Sequence, residues 1–108
     1  MTRKVTRSEL AEAILSKNPP VVVEALGRNY YASGHIPTAQ ALPLDELARL
    51  APELAPDKAK AIVVYCASET CANSHQAAAW LAAQGYRDVA VYPGGKKDWA
   101  EAGLKFEI

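Results

Sequence analysis

Two runs of apolar residues without alternation constrain this chain more than any other feature. Ala61-Ile-Val-Val-Tyr-Cys66 and Val21-Val-Val-Glu-Ala-Leu26 are short, continuous and rich in β-branched residues. A strand with one wet face alternates apolar and polar residues, so these runs predict strands covered on both faces, as in a parallel sheet. Parallel strands need crossovers, and helix-like segments stand where crossovers are required. Thr6-Arg-Ser-Glu9 reads as a capping box opening a helix that runs to about Lys17, where Asn18-Pro19-Pro20 stops it. Arg28 to Ser33 can form a turn or two of helix, and Ala39 to Leu42 a further strand. Leu44 to Leu50 carries leucines on one side, and Pro52 and Pro56 interrupt the chain beyond it. The polar loop Ala67 to Asn73 precedes a helix over Ser74 to Gln84, closed by Gly85. Asp88 to Tyr92 is the last strand, and Lys96 to Ala102 the last helix. The expectation is an α/β domain with right-handed crossovers and helices on both sheet faces.

The 108 residues fit one domain, since one core is commonly built from roughly 100 to 150 residues. Lys plus Arg and Asp plus Glu number 12 each, so no net field draws nucleic acid or an anionic membrane. No stretch reaches the roughly 18 apolar residues of a membrane span, and the basic start lacks the apolar core of a signal peptide. The expected compartment is the cytoplasm. Two closely spaced cysteines point to local chemistry, not to a disulfide scaffold. Cys66, Cys71 and His75 lack the further ligands of a zinc set, so neither metal nor cofactor is expected.

Ligands of open α/β sheets bind at the carboxyl ends of the strands, and Cys66 ends the clearest strand. A cysteine reacts as its thiolate, which the amides and dipole of a helix N-terminus favour. A loop curled around the sulfur would add a nest of backbone amides able to hold a thiolate or a persulfide. Taken locally, an inert buried cysteine fits Cys66 equally well.

Wider patterns separate the two. Tyr31-Ala-Ser-Gly-His-Ile-Pro-Thr-Ala39 resembles the Y-x-x-G-H-I-P-G-A segment of rhodanese domains, and Leu42-Pro-Leu-Asp-Glu-Leu47 continues it. Val63-Val-Tyr-Cys66, Ala77-Ala78, Leu81, Gly85-Tyr86, Gly94-Gly95, Trp99 and Ala102-Gly103-Leu104 come next in the family's order. The likeness runs from about Val21 to Leu104 and identifies residues 1–108 as a single rhodanese-like domain. It implies a three-layer αβα sandwich around a mainly parallel five-stranded sheet. It also implies a sulfurtransferase in which Cys66 takes sulfane sulfur from a donor and passes it to a thiophilic acceptor. The amides of Ala67, Ser68, Glu69, Thr70, Cys71, Ala72 and Asn73 would then line the substrate cradle. The partners implied are a small sulfur donor or a persulfide-bearing protein, and a thiol or other thiophilic acceptor.

The chain departs from the family's C-x-x-G-x-R-S loop. Anchored on Ala77-Ala78 and Gly85-Tyr86, its loop is two residues longer, and Asn73-Ser74 stands in place of Arg-Ser. A guanidinium would grip an anionic donor through paired hydrogen bonds, so its loss implies weak thiosulfate turnover. Cys71 is open to two roles: a resolving or relay thiol beside Cys66, or a packing residue. A bridge between them needs Cα atoms within about 7 Å. An interaction module with weak catalysis, or a Cys66/Cys71 thiol-disulfide switch, are the competing functions. Glu24, in place of the usual Asp of D-V-R, is expected to be a solvated or capping carboxylate; Lys96 and Lys97 are expected to form a solvated helix start, the alternative being that they offer the positive charge the loop lacks. His75 is expected on the surface, His35 to brace its turn, and Trp80 and Trp99 to pack.

Overall fold

The strand ending at Cys66 lies at the centre of a five-stranded, all-parallel sheet in the computed structural model, which describes residues 2–108. In chain order the elements are β1 (Arg3–Lys4), α1 (Arg7–Ile14), β2 (Val21–Glu24), α2 (Arg28–Ala32) and β3 (Gln40–Ala41). A 3₁₀ turn (Leu44–Glu46) leads into α3 (Leu47–Leu54), then β4 (Ile62–Tyr65), α4 (Asn73–Ala83), β5 (Val89–Tyr92) and α5 (Gly95–Glu101). The strand order is β1-β5-β4-β2-β3. All four residues of β4 and of β5 are buried, as continuous apolar runs require.

Alternation along the strands builds two cores. Val23, Val64 and Val91 face Leu47, Leu50 and Ala51 of α3 and Ala77, Ala78 and Leu81 of α4. Val22, Val63, Tyr65 and Tyr92 face Leu10 of α1 and Trp99 of α5. The result is the expected αβα layering, with Trp80 packed at the edge of one core and Trp99 inside the other.

Two local expectations are corrected, and one strand is added to those read from the sequence. The basic start forms an edge strand, because Arg3 and Lys4 pair with Ala90 and Val91 through backbone bonds that ignore their exposed side chains. The first helix has its capping box, Thr6 Oγ1 accepting from the Glu9 amide and Glu9 Oε1 from the Thr6 amide, but ends at Ile14 and not near Lys17. Leu15, at its C-cap, is exposed and gives no apolar contact to extend it. In α3 the helix runs through Pro52, which is exposed, while Leu50 and Ala51 stay buried. The buried stripe outweighs the single backbone bond that proline removes.

Candidate functional site

Cys66 is the first residue after β4, and the carboxyl end of that strand sets its position. Its neighbour Tyr65 turns to the α1/α5 core, so Cys66 takes the opposite face, toward α4. The residue is 1% exposed. The Cys66 thiol donates toward the Cys71 carbonyl oxygen 3.3 Å away, and its Sγ lies 3.4 Å from Ser74 Oγ, itself buried.

The loop between the cysteines is pinned on three sides. The amide of Cys71 donates to the Ser68 carbonyl at 3.1 Å, closing a turn that brings Cys71 back over Cys66. Asn73 Nδ2 donates to the Ala25 carbonyl at 3.0 Å, tying the start of α4 to the end of β2. The amides of Lys96 and Lys97 donate to the carbonyls of Cys66 and Ala67 at 3.0 and 2.9 Å. That last contact requires Gly95. Its φ is +63°, and a Cβ there would collide with the Cys66 carbonyl oxygen and the Ala67 carbonyl carbon.

α4 begins without a side-chain cap, so its first amides remain free to face the sulfurs. The electrostatics then divide the two thiols. Burial pushes the Cys66 thiol above its ordinary range and the neighbouring Cys71 adds to this, against a smaller opposing pull from the Ser74 hydroxyl and amide. Burial also acts on Cys71, but the Cys66 thiol and the amides of Ala67 and Asn73 overcome it and lower Cys71. The loop order alone predicts that negative charge at Cys66. Two of the cradle amides instead serve the outer cysteine. Both cysteines are free thiols, and Cys71 is half-buried. Ala67, Glu69, Thr70 and Ala72 are exposed around them, with Ser68 Oγ 3.1 Å from Thr70 Oγ1.

Glu24 and Lys96 depart from their expected solvation. Glu24 is 0% exposed, accepts from Tyr65 Oη at 2.9 Å and pairs with Lys96 Nζ at 3.0 Å. Lys96 Nζ also donates to the Tyr30 carbonyl, and Tyr65 Oη receives the Ile36 amide at 3.0 Å. One carboxyl oxygen, Glu24 Oε2, has no partner among the described residues. The apolar strand β2 carries this carboxylate inward, and a buried carboxylate needs a cation or it neutralises, so Lys96 is drawn in. Lys97 does remain exposed, 3.2 Å from Glu101. His75 is exposed, while His35 stacks on Tyr31 with ring centroids 3.8 Å apart and its Nδ1 lies 3.1 Å from the Tyr31 carbonyl oxygen. Among the described residues no three His, Cys, Asp or Glu side chains gather as a metal-binding group.

Sequence reasoning missed Ser74, Gly95 and the Glu24–Lys96 pair. Ser74 carried a signal, since it falls at the serine of the family's Arg-Ser, one residue past the loop. The ion pair carried none, because residues so far apart in sequence meet only through the strand order.

The family model described as a rhodanese-like domain matches residues 6–102. The chain belongs to the rhodanese-like family. Its relatives include a protein named sulfurtransferase from Allochromatium vinosum, 31% identical over 96% of this chain and 94% of that one. A protein structure from Bacillus halodurans superposes with a TM-score of 0.86 at 25% identity, covering 98% of this chain and 77% of the other. A thiosulfate sulfurtransferase from Pseudomonas aeruginosa gives 0.81 at 28% identity, over 98% of this chain but 20% of that much longer one. Family and relatives give the rhodanese-like chain a sulfurtransferase family role. No helix among its described residues is long and apolar enough to cross a membrane.

Proposed function

We propose that the chain carries sulfane sulfur as a persulfide on Cys66 and passes it to a thiophilic acceptor, a thiol in the simplest case. One observation carries this reading. The Cys66 sulfur sits where β4 ends and α4 begins, in a loop whose Cys66 and Ala67 carbonyls are bound by amides of α5, while the uncapped start of α4 leaves its own amides free. At Cys66 itself the Ser74 hydroxyl and amide are the groups that would hold a persulfide anion against the cost of burial.

The donor is a low-molecular-weight or protein persulfide in preference to thiosulfate. No basic side chain lies in the loop 67–73. Lys96 is committed to Glu24, and Lys97 to Glu101. The cavity of about 430 Å³ beside the loop is lined by Ser68, Glu69, Thr70, Gly94, Lys97, Asp98 and Glu101; Asp98 is paired with Arg7 and Lys97 with Glu101, so its one lysine is already engaged. A dianion gains no bidentate clamp there. A reducing compartment such as the cytoplasm suits two free thiols at such a site.

Intact-mass measurement after incubation with thiosulfate, and separately with cysteine persulfide, tests this. The expected result is a gain of one sulfur, at least roughly tenfold faster from the persulfide. No gain from either donor overturns the reading in favour of a binding module.

A further inference from the structure

Resting on that reading, we propose that Cys71 is the exchange thiol of a two-station site: it takes the sulfane sulfur from the donor, hands it inward to Cys66, and returns it to the acceptor.

The geometry separates access from storage. Cys66 is 1% exposed and the backbone of Cys71 covers it, the Cys71 carbonyl standing 3.3 Å from the Cys66 sulfur. A donor approaching from solvent meets Cys71 first. The Ser68–Cys71 turn and the Asn73–Ala25 bond hold that cysteine in place over its partner. The Cys66 thiol and the amides of Ala67 and Asn73 favour a thiolate on Cys71, while burial works against one on Cys66. The reactive form of a cysteine is its thiolate, so the outer residue is the one prepared to attack. Ser74 Oγ, 3.4 Å from the inner sulfur, is placed to donate to a persulfide stored there.

The steps balance without an oxidant or reductant. The Cys71 thiolate attacks the outer sulfur of a donor persulfide; the donor's S–S bond breaks, its thiolate leaves, and Cys71 holds a persulfide. The Cys66 sulfur then attacks the outer sulfur of that persulfide. One S–S bond forms at Cys66, one breaks at Cys71, and the Cys66 proton passes to the departing Cys71 sulfur. Unloading runs the same two steps backward, with an acceptor thiolate attacking the persulfide on Cys71 and leaving as its persulfide. The competing course, attack of Cys71 on the inner sulfur of a Cys66 persulfide, expels sulfide and leaves a disulfide that an external reductant must reset.

Rapid-quench loading of the full chain with cysteine persulfide, then alkylation and fragment-ion mapping, tests the order of events. In the wild type the sulfur is expected on Cys71 at early times and on Cys66 later. Cys66→Ser is expected to hold the sulfur on Cys71 at all times, since the inner station is gone. Cys71→Ser and Cys71→Ala are both expected to slow loading of Cys66 by roughly tenfold or more. Cys66 loading at the wild-type rate in both Cys71 variants overturns the two-station scheme and leaves the Cys66 carrier intact. Loss of two hydrogens with release of sulfide from the wild type also overturns it. A wild type that never places sulfur on Cys66 removes the carrier reading itself, and the scheme with it.

Discussion

At the scale of single residues, one ion pair and one pair of thiols set the behaviour of the site. Glu24 is fully buried and Lys96 is its cation, with Tyr65 sharing the carboxylate. Removing one member of a buried pair strands the other, which costs about 3 to 5 kcal/mol. Lys96→Met is therefore expected to lower stability by about that amount in urea denaturation. The double change Glu24→Gln with Lys96→Met is expected to recover much of it; equal loss in both would show that the charge is not what Lys96 answers. The two thiols are shifted in opposite directions, Cys71 down and Cys66 up, so Cys71 ionises first as the pH rises. Alkylation by iodoacetamide across a pH series, mapped by fragmentation, is expected to modify Cys71 first and Cys66 only at higher pH. Glu24 shows how much was hidden at this scale: its neighbours in sequence said strand, and its charge said solvent. The strand decided, and the charge was met by a lysine from another element.

Among the elements, α5 does the positioning, and Gly95 is where it touches the loop. Gly95→Ala adds a Cβ against the Cys66 and Ala67 carbonyls at a residue with φ of +63°. This change is expected to weaken sulfur loading at Cys66 by roughly tenfold or more, and to lower the melting temperature, since a left-handed alanine alone costs about 1 to 2 kcal/mol. Thr38 is the opposite case. It stands at φ +73°, at the glycine of the motif that the sequence resembles, and its amide donates to Glu107 Oε1 at 3.0 Å. Thr38→Gly keeps that amide and removes the strain, so thermal unfolding is expected to report a gain of about 1 kcal/mol. The strong elements were legible in the sequence because their causes are local: continuous apolar runs for β2, β4 and β5, and a capping box for α1. The two-residue strand β1 was not, since its partner is β5 and its side chains carry no pattern. Nor was the passage of α3 through Pro52, which the buried Leu50 and Ala51 decide.

Across the whole molecule, a parallel sheet with helices on both faces delivers one strand end to one helix start, and Cys66 lies at that junction. The fold and this position could be read from the sequence, since motif order and strand pattern agreed. The division of labour inside the loop could not. It depends on which amides meet which sulfur, and on two lysines already paired with carboxylates. Whether Cys66 is the residue that holds the sulfane sulfur is decided by fragment-ion mass spectrometry of the wild-type chain, incubated to completion with cysteine persulfide and alkylated. One added sulfur mapped to Cys66 is expected. Sulfur on Cys71 alone, or on neither cysteine, would refute the proposed carrier.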